Sequence, residues 1–150
     1  MHMRSKLAVA LALAGTALSA QAQFKPEEAI AYRQGIMKAQ RWNLVPMAMM
    51  VQGKMPYDQA VFLTKAQRLN ALSSMTADGF VPGSEAGAPT KARPEIWSNA
   101  AGFKQAADQF AAETPKLVAA AQSGNMDQIK AAFGGVVKSC DNCHDNFRSR

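Results

Sequence analysis

The chain has 150 residues, of which 48% are hydrophobic, and a formal net charge of +6. This length predicts a single domain that is large enough to bury a core. The mild basic excess would help docking onto an acidic redox partner, but no Lys/Arg cluster is interleaved with aromatic residues, which argues against nucleic-acid binding.

Residues 1–22 have the pattern of a cleaved secretory signal. Two basic residues near the start precede an uncharged apolar run, and Ala20-Gln21-Ala22 provides small residues in an A-x-A arrangement. The apolar run is shorter than the roughly 20 residues that span a bilayer. We therefore expect an exported chain in which residues 23–150 form one domain without a stable membrane anchor; an uncleaved anchor is the alternative.

The first predicted helix runs from about Pro26 to Lys54. Proline suits the first helical turn, and the two acidic residues after it lie favourably at the positive end of the helix dipole. Pro46 should kink this helix because it removes a backbone donor and clashes with the preceding turn. One face carries an apolar residue at every seventh position, namely Ile30, Met37, Leu44 and Val51.

The second predicted helix runs from about Asp58 to Thr76, after a short connection. The segment 78–93, here named the long loop, follows it; this segment is rich in Gly and Pro and has no apolar period. The expected inward face of the helix comprises Val61, Lys65 or Ala66, Leu69, Leu72 and Thr76.

The third predicted helix starts at Pro94 and ends at Ser123, before Gly124 as a glycine C-cap. Thr114-Pro115 either kinks this helix or separates two abutting helices, because the pair also suits a cap followed by a first-turn proline. Its apolar residues have the four-and-three spacing of a bundle seam. They are Ile96, Ala100, Phe103, Ala107, Phe110, Leu117 and Ala121.

The fourth predicted helix follows Asn125 as its N-cap, with Gln128 at the reciprocal capping-box position. Gly134-Gly135 weakens this helix by roughly 1 kcal/mol per glycine relative to alanine and would allow a neighbour to approach closely. Four amphipathic helices predict an all-α, antiparallel four-helix bundle in up-down-up-down order. The inward seam of the last helix is Met126, Ile129, Phe133, Val136, Cys140, Cys143 and Phe147.

The chemistry of the chain is concentrated in Cys140-Asp141-Asn142-Cys143-His144, a C-x-x-C-H sequence of the kind that attaches c-type haem. Residues three and four apart lie on one helix face, so two thiols can add to two vinyl groups of a haem while the imidazole reaches the iron. Both cysteines lie on the inward seam, which directs the haem into the bundle. Beyond the predicted signal, His144 is the only histidine, so a second histidine ligand is excluded.

Other functions fit the motif less well than haem attachment. A structural zinc site needs four ligands, and this motif offers three. A thioredoxin-like dithiol needs C-x-x-C beside a βαβ unit, whereas this motif ends an all-α chain. The methionines between positions 47 and 55 could suggest copper, but they lie on several helix faces and no histidine assists them. A haem-free bundle that acts as an interaction or thiol protein is the alternative from another functional class.

C-x-x-C-H at the end of a four-helix chain resembles the class II c-type cytochromes, the cytochrome c′ family. The resemblance covers essentially all of residues 23–150. The stretches that carry it besides the motif are Gln23 to Glu28 with Tyr32-Arg33-Gln34, Pro56-Tyr57-Asp58, and Ala92-Arg93-Pro94-Glu95-Ile96-Trp97. It implies a periplasmic protein with one covalent haem c, one-electron transfer, redox partner proteins, binding of NO and CO, and no enzymatic activity. Homodimers through the first two helices are common in the family.

The resemblance also implies roles for individual residues. Arg33 and Gln34 would contact the haem propionates, and Thr90 would make a further haem contact. Phe80 would line the distal side, and Arg148 would reach the proximal face. The sequence alone leaves open a solvated rim for Arg33 and Gln34 and a frayed, solvated terminus for Arg148.

The sixth position of the iron separates two functions, and Met37 is the residue that decides between them. In cytochromes c′ this position holds an apolar residue that lies over the iron without bonding it, which leaves a high-spin haem that binds gases. In low-spin members of the class, a first-helix methionine is a ligand. We expect the high-spin form with His144 as the proximal ligand. The alternatives are a low-spin electron carrier with Met37 as sixth ligand, and a plain core role for Met37.

Overall fold

The computed structural model describes residues 25–150, so the predicted signal peptide lies outside the described residues. The helices are α1 (Pro26–Val51), α2 (Gln59–Ser73), α3 (Glu95–Ser98), α4 (Ala100–Ser123) and α5 (Met126–Phe147). The four long helices form the bundle that the sequence predicted, with α4 packed against α2 and α5, and α1 packed against α2. Within residues 25–150 no helix is both long and apolar enough to cross a membrane.

The helices α1 and α2 begin within one residue of their predicted starts, but each ends three residues early, α1 at Val51 rather than Lys54 and α2 at Ser73 rather than Thr76. Pro26 opens α1, and the helix continues through Pro46 to Val51. The Asp58 side chain caps α2 by accepting a hydrogen bond from the Val61 amide at 2.9 Å. The hydroxyl groups of two consecutive serines after position 72 donate back to backbone carbonyls one turn earlier, which competes with helix continuation and ends α2 three residues before the predicted Thr76.

Two positions of the predicted seams are wrong. Val61 is 41% exposed, whereas its neighbour Phe62 is fully buried, so the inward face of α2 is shifted by one residue at its start. Ala100 is exposed because α3 and α4 are separate helices. The break lies at Asn99, whose side chain accepts a hydrogen bond from the Gly102 amide at 3.1 Å and thereby caps α4.

The helix α4 is continuous through Pro115, which resolves the two alternatives for this segment. A proline within a helix leaves the carbonyl four residues earlier without its amide donor. That carbonyl belongs to Ala111, and the hydroxyl of the buried Thr114 lies 3.2 Å from it, with Asn70 Oδ1 as a nearer acceptor at 2.9 Å. The single hydroxyl proton is therefore shared between the carbonyl that Pro115 leaves without a donor and a side chain of α2.

The connection between α4 and α5 is built as predicted at its two caps. Gly124 has a φ of 67°, a left-handed conformation that favours glycine, and it ends α4. The Asn125 side chain accepts from two amides at the start of α5. The predicted capping-box role of Gln128 is wrong, because its side-chain oxygen instead accepts a hydrogen bond from the Ser123 hydroxyl at 3.0 Å.

The buried side chains form two hydrophobic clusters. The larger one joins all four long helices, and its largest fully buried members are Phe62, Met47, Leu69, Leu117, Ile129 and Val136. The smaller one lies where α4 begins and α5 ends, and its buried members are Ile96, Phe103, Ala106 and Phe147. The candidate site lies where these two clusters approach each other along α5.

Candidate functional site

The C-x-x-C-H motif occupies the last two turns of α5. Cys140 is half-buried and packs against the larger cluster, whereas Cys143 is half-buried and packs against the smaller one. Both thiols are free. The His144 residue is exposed, and its carbonyl accepts a hydrogen bond from the Arg148 amide at 3.1 Å. The two thiols therefore lie at adjacent turns of one face, at the boundary between the two clusters.

The environment keeps the two thiols protonated and the imidazole neutral at neutral pH. Burial raises the pKa of Cys140 to about 11, with smaller contributions from Asp141 and Cys143. Burial also raises the pKa of the Cys143 thiol. Partial burial lowers the pKa of His144, as does the nearby charge of Arg148, against an opposing effect of two aspartates. A neutral imidazole is the form that binds a metal.

The residues around the motif fit a covalently held haem. Two half-buried thiols and an imidazole follow one another on one helix in the C-x-x-C-H order that attaches haem. The helix α5 packs along α4 but only lightly against α1. In residues 25–150, no group of three or more His, Cys, Asp or Glu side chains could hold a metal ion by itself, so the zinc alternative gains no support.

Met37 lies on α1 and is half-buried, yet it belongs to neither hydrophobic cluster of the described residues. A plain core methionine would pack against one of them. Its position outside both clusters is therefore evidence against a plain core role. That its sulfur lies over a bound iron without bonding it stays a prediction.

Arg33 is 3% exposed and sends its two terminal nitrogens into the long loop. Nη1 donates to the Gly79 carbonyl at 3.1 Å and to the Ser84 hydroxyl at 2.9 Å. Nη2 donates to the Ser84 carbonyl at 3.0 Å and to the Thr90 hydroxyl at 3.1 Å. The four terminal N–H groups thus have loop partners, and only Nε–H is left for the predicted propionate contact.

The structure brings three other residues with predicted haem contacts, Gln34, Thr90 and Phe80, close to Arg33 and the long loop. Gln34 donates through Nε2 to the Pro89 carbonyl at 2.8 Å. The Thr90 hydroxyl accepts from the Ala92 amide at 3.1 Å as well as from Arg33. Phe80 is half-buried and lies under the Arg33 guanidinium, whose carbon is 4.8 Å from the ring centroid. The haem contacts predicted for these residues remain predictions.

Arg148 lies just beyond α5 and is exposed. Its backbone pairs with Ala92 in an isolated antiparallel bridge, which is flanked by hydrogen bonds from the Arg93 amide to Phe147 and from the Ser149 amide to Lys91. The residue is therefore fixed at its backbone rather than frayed. Its charge is close enough to His144 to lower the pKa of the imidazole.

Sequence reasoning missed the residues that hold the long loop in place. Ser84 is fully buried and Gly79 lies against Arg33, but neither stood out in a segment without apolar period. Trp97 donates through its indole to the Val81 carbonyl at 3.2 Å. The available signal was the polar block Tyr32-Arg33-Gln34 on an otherwise apolar face, which needed partners of its own.

Comparison with known proteins places the chain among similar sequences and folds. A family model described as Cytochrome C' matches residues 28–148. The chain is 42% identical over 126 residues to a cytochrome c′ of Rubrivivax gelatinosus, which covers 84% of this chain and 98% of that protein. The crystal structure of cytochrome c′ from Rubrivivax gelatinosus superposes with a TM-score of 0.81 at 43% identity, covering 85% of this chain and 100% of that one.

Another set of similar structures comes from Alcaligenes xylosoxidans. The nitric oxide complex of a leucine-to-alanine mutant of its cytochrome c′ has a TM-score of 0.79 at 42% identity, covering 85% of this chain and 99% of that one. A glycine variant of that cytochrome with carbon monoxide bound has a TM-score of 0.78 at 42% identity and covers 84% and 98% of the two chains.

Proposed function

Because the chain belongs to the cytochrome c′ family, we propose that it is a periplasmic monohaem cytochrome that binds NO and CO and transfers single electrons. The observation that carries the proposal is the pair of free, half-buried thiols that precede His144 on α5, at the boundary between the two hydrophobic clusters. We assign no catalytic residue, since the protein groups hold and tune the cofactor.

Cys140 and Cys143 would hold the haem through thioether bonds, and His144 would be the proximal ligand. The bound iron supplies a one-electron couple and a coordination position for diatomic gases. The neutral form of His144 at neutral pH supports its role as a ligand. Arg148, fixed by its backbone bridge to Ala92, would lie beside the proximal ligand.

Met37 would lie over the distal side without a bond to iron. Its half-buried position outside both clusters supports this role. An apolar residue there excludes water and leaves the sixth position to a small uncharged gas. The low-spin alternative, with Met37 as sixth ligand, is not favoured by the family to which the chain belongs.

The gas ligands follow from solved relatives. Structures of Alcaligenes xylosoxidans cytochrome c′ variants hold nitric oxide or carbon monoxide. This chain shares the fold with them and is 42% identical over the aligned residues. We extend the same ligands to it. Export fits the signal pattern of residues 1–22, because covalent haem attachment and a secretory signal point to the same compartment.

A homodimer through α1 and α2 is a further part of the proposal. Trp42, Val45 and Met49 are exposed and lie three and four residues apart, so they form one apolar stripe on α1. A stripe of this kind that includes a largely exposed tryptophan is typical of a protein interface.

The absorption spectrum of the reduced, exported protein tests the proposal. We expect a broad high-spin spectrum that shifts on addition of CO, and the mass of one haem on the intact chain. A sharp low-spin α band that does not change on addition of CO would support the alternative in which Met37 is the sixth ligand. A chain without haem would refute both the high-spin and the low-spin proposals.

The variant Met37→Leu separates the two haem forms further, because leucine has no sulfur and a similar volume. The proposed high-spin form predicts an unchanged spin state in this variant. Conversion from a low-spin to a high-spin spectrum would instead identify Met37 as the ligand.

A further inference from the structure

Three consecutive residues of α1 fasten the long loop at points spread over its length. The Tyr32 hydroxyl donates to the Asp78 carboxylate at 3.4 Å, where the loop begins. Arg33 binds Gly79, Ser84 and Thr90, and Gln34 binds Pro89. The loop has no hydrophobic seam of its own, so these contacts carry much of its order.

Arg33 makes contacts that no other side chain could reproduce. Its planar guanidinium offers donors in a rigid fork, and two donors on each terminal nitrogen reach loop oxygens. The same group lies over the rings of Phe80 and Trp97, at 4.8 Å and 5.6 Å from their centroids. A lysine ammonium would keep the charge but could not span these partners at once.

The charge of Arg33 is held without a carboxylate. Among residues 25–150, no carboxylate comes within ion-pair distance of its guanidinium. Burial lowers the pKa of Arg33, and the more distant Glu85 only partly opposes this effect. Carbonyl groups, hydroxyl groups and aromatic faces therefore stabilise the cation, and each of the oxygens comes from the long loop.

Close packing joins Arg33 to the start of the loop. A Cβ atom placed on Gly79 would lie 2.7 Å from the Cβ of Arg33 and 3.0 Å from the backbone nitrogen of Arg33 and the carbonyl of Ala29. Only glycine allows the loop to approach α1 this closely. The next residue is Phe80, which is held between Arg33 and Phe103, whose ring centroid is 4.8 Å away.

We propose that Arg33 is a positioning residue: its fork fastens the long loop to α1 and thereby holds Phe80 in place on the distal side, which limits how fast a gas reaches the iron. This inference rests on the proposed function. This role differs from a propionate contact, because the loop is held by the geometry of the guanidinium fork rather than by its positive charge alone.

The haem-loaded protein tests the inference through two readouts, hydrogen exchange of the loop amides and the association rate of CO. The reporter amides are those of Phe80, which donates to the Ala77 carbonyl just before the loop, and of Ser84 and Ala92, which donate to acceptors within the loop. The Arg93 amide, which donates to Phe147 at the end of α5, is the internal reference.

Four variants separate the fork from the charge. Arg33→Lys keeps the charge and removes the fork. Gly79→Ala and Ser84→Ala keep Arg33 and disturb its partners, and Ser84→Ala is the milder change should Gly79→Ala impair folding. Arg41→Lys, at an exposed position of α1, is the matched control.

We expect Arg33→Lys and Ser84→Ala each to speed exchange of the reporter amides by about tenfold and to raise the CO association rate by about threefold, with the Arg93 reference and Arg41→Lys unchanged. Wild-type values for Arg33→Lys would show that the charge suffices and would overturn the inference. Faster exchange without faster CO association would also overturn it, because the loop would then not control access. A wild-type protein that fails to bind CO would refute the proposed function instead, while the exchange data would still test the fastening of the loop.

Discussion

Replacement of Trp42 by alanine should weaken the proposed homodimer. Trp42 is 75% exposed, and a tryptophan side chain offers about 200 Å² of contact area, so about 150 Å² is available for burial by a partner. At about 25 cal/mol per Å², its full burial contributes about 4 kcal/mol per protomer. A twofold interface uses the residue twice, but the ordering of side chains offsets part of the gain. A loss of at least about 2 kcal/mol, roughly a 30-fold rise in the dimer dissociation constant, is therefore expected for Trp42→Ala.

Sedimentation equilibrium of the haem-loaded protein measures this constant. Val81→Ala, which trims an exposed apolar side chain in the long loop, is the control and should leave the dissociation constant unchanged. An unchanged constant for Trp42→Ala would refute the assignment of the interface to the α1 stripe. A wild-type protein that stays monomeric up to about 1 mM would refute the dimer itself.

Three further predictions concern the bundle. Gly134→Ala should raise the free energy of unfolding by about 0.5–1 kcal/mol in chemical denaturation, because the added Cβ would meet nothing within 4 Å. Gly135→Ala should raise it less, because its Cβ would lie 2.6 Å from the Glu113 carboxylate. Equal gains in the two variants would contradict this difference. Thr114→Val should lower the free energy of unfolding by about 1–3 kcal/mol, since the fully buried hydroxyl lies 2.9 Å from Asn70 Oδ1 and 3.2 Å from the Ala111 carbonyl. The exposed control Thr64→Val should lower it by less than about 0.5 kcal/mol. Equal losses would exclude the buried network as the cause. In the haem-free chain, burial raises the pKa of Cys140 to about 11, so the unfolded state releases this thiol proton first and the free energy of unfolding should fall between pH 9.0 and about 11. Cys140→Ala should show a smaller fall rather than none, because burial also raises the pKa of the Cys143 thiol that this variant keeps. A fall of the same size in that variant would exclude Cys140 as the cause.

The fold was predictable because its signals are local and repeat along the chain. The apolar seam of α5 holds for its full length, and Asn125 and Gly124 mark the join between the last two helices as their chemistry requires. The errors lie where periodicity has little length to act on. Val61 lies in the first turn of α2, where a shift of the apolar pattern by one residue decides which side chain is buried. Asn99 divides a segment whose apolar spacing predicts a single helix.

The attachment motif was predictable for the same reason, since two thiols and an imidazole three and four residues apart need only a helix to bring them together. The partners of Arg33 were not. They lie 46 to 57 residues away in a segment without period, and two of its four acceptors are backbone carbonyls, which leave no trace in a sequence.

The distant partners of Arg33 explain why this residue is compatible with two roles, contact with a haem propionate and attachment of the long loop. A buried arginine on an apolar helix face must find acceptors, and the sequence offers no carboxylate at helical spacing to supply them. A haem propionate is one acceptor that meets this need, and the long loop is another. In residues 25–150 the loop supplies acceptors for the four terminal donors and leaves Nε–H free. The two roles are therefore compatible on one guanidinium, and a propionate bound at Nε would draw the cofactor, α1 and the loop that carries Phe80 into a single hydrogen-bonded unit.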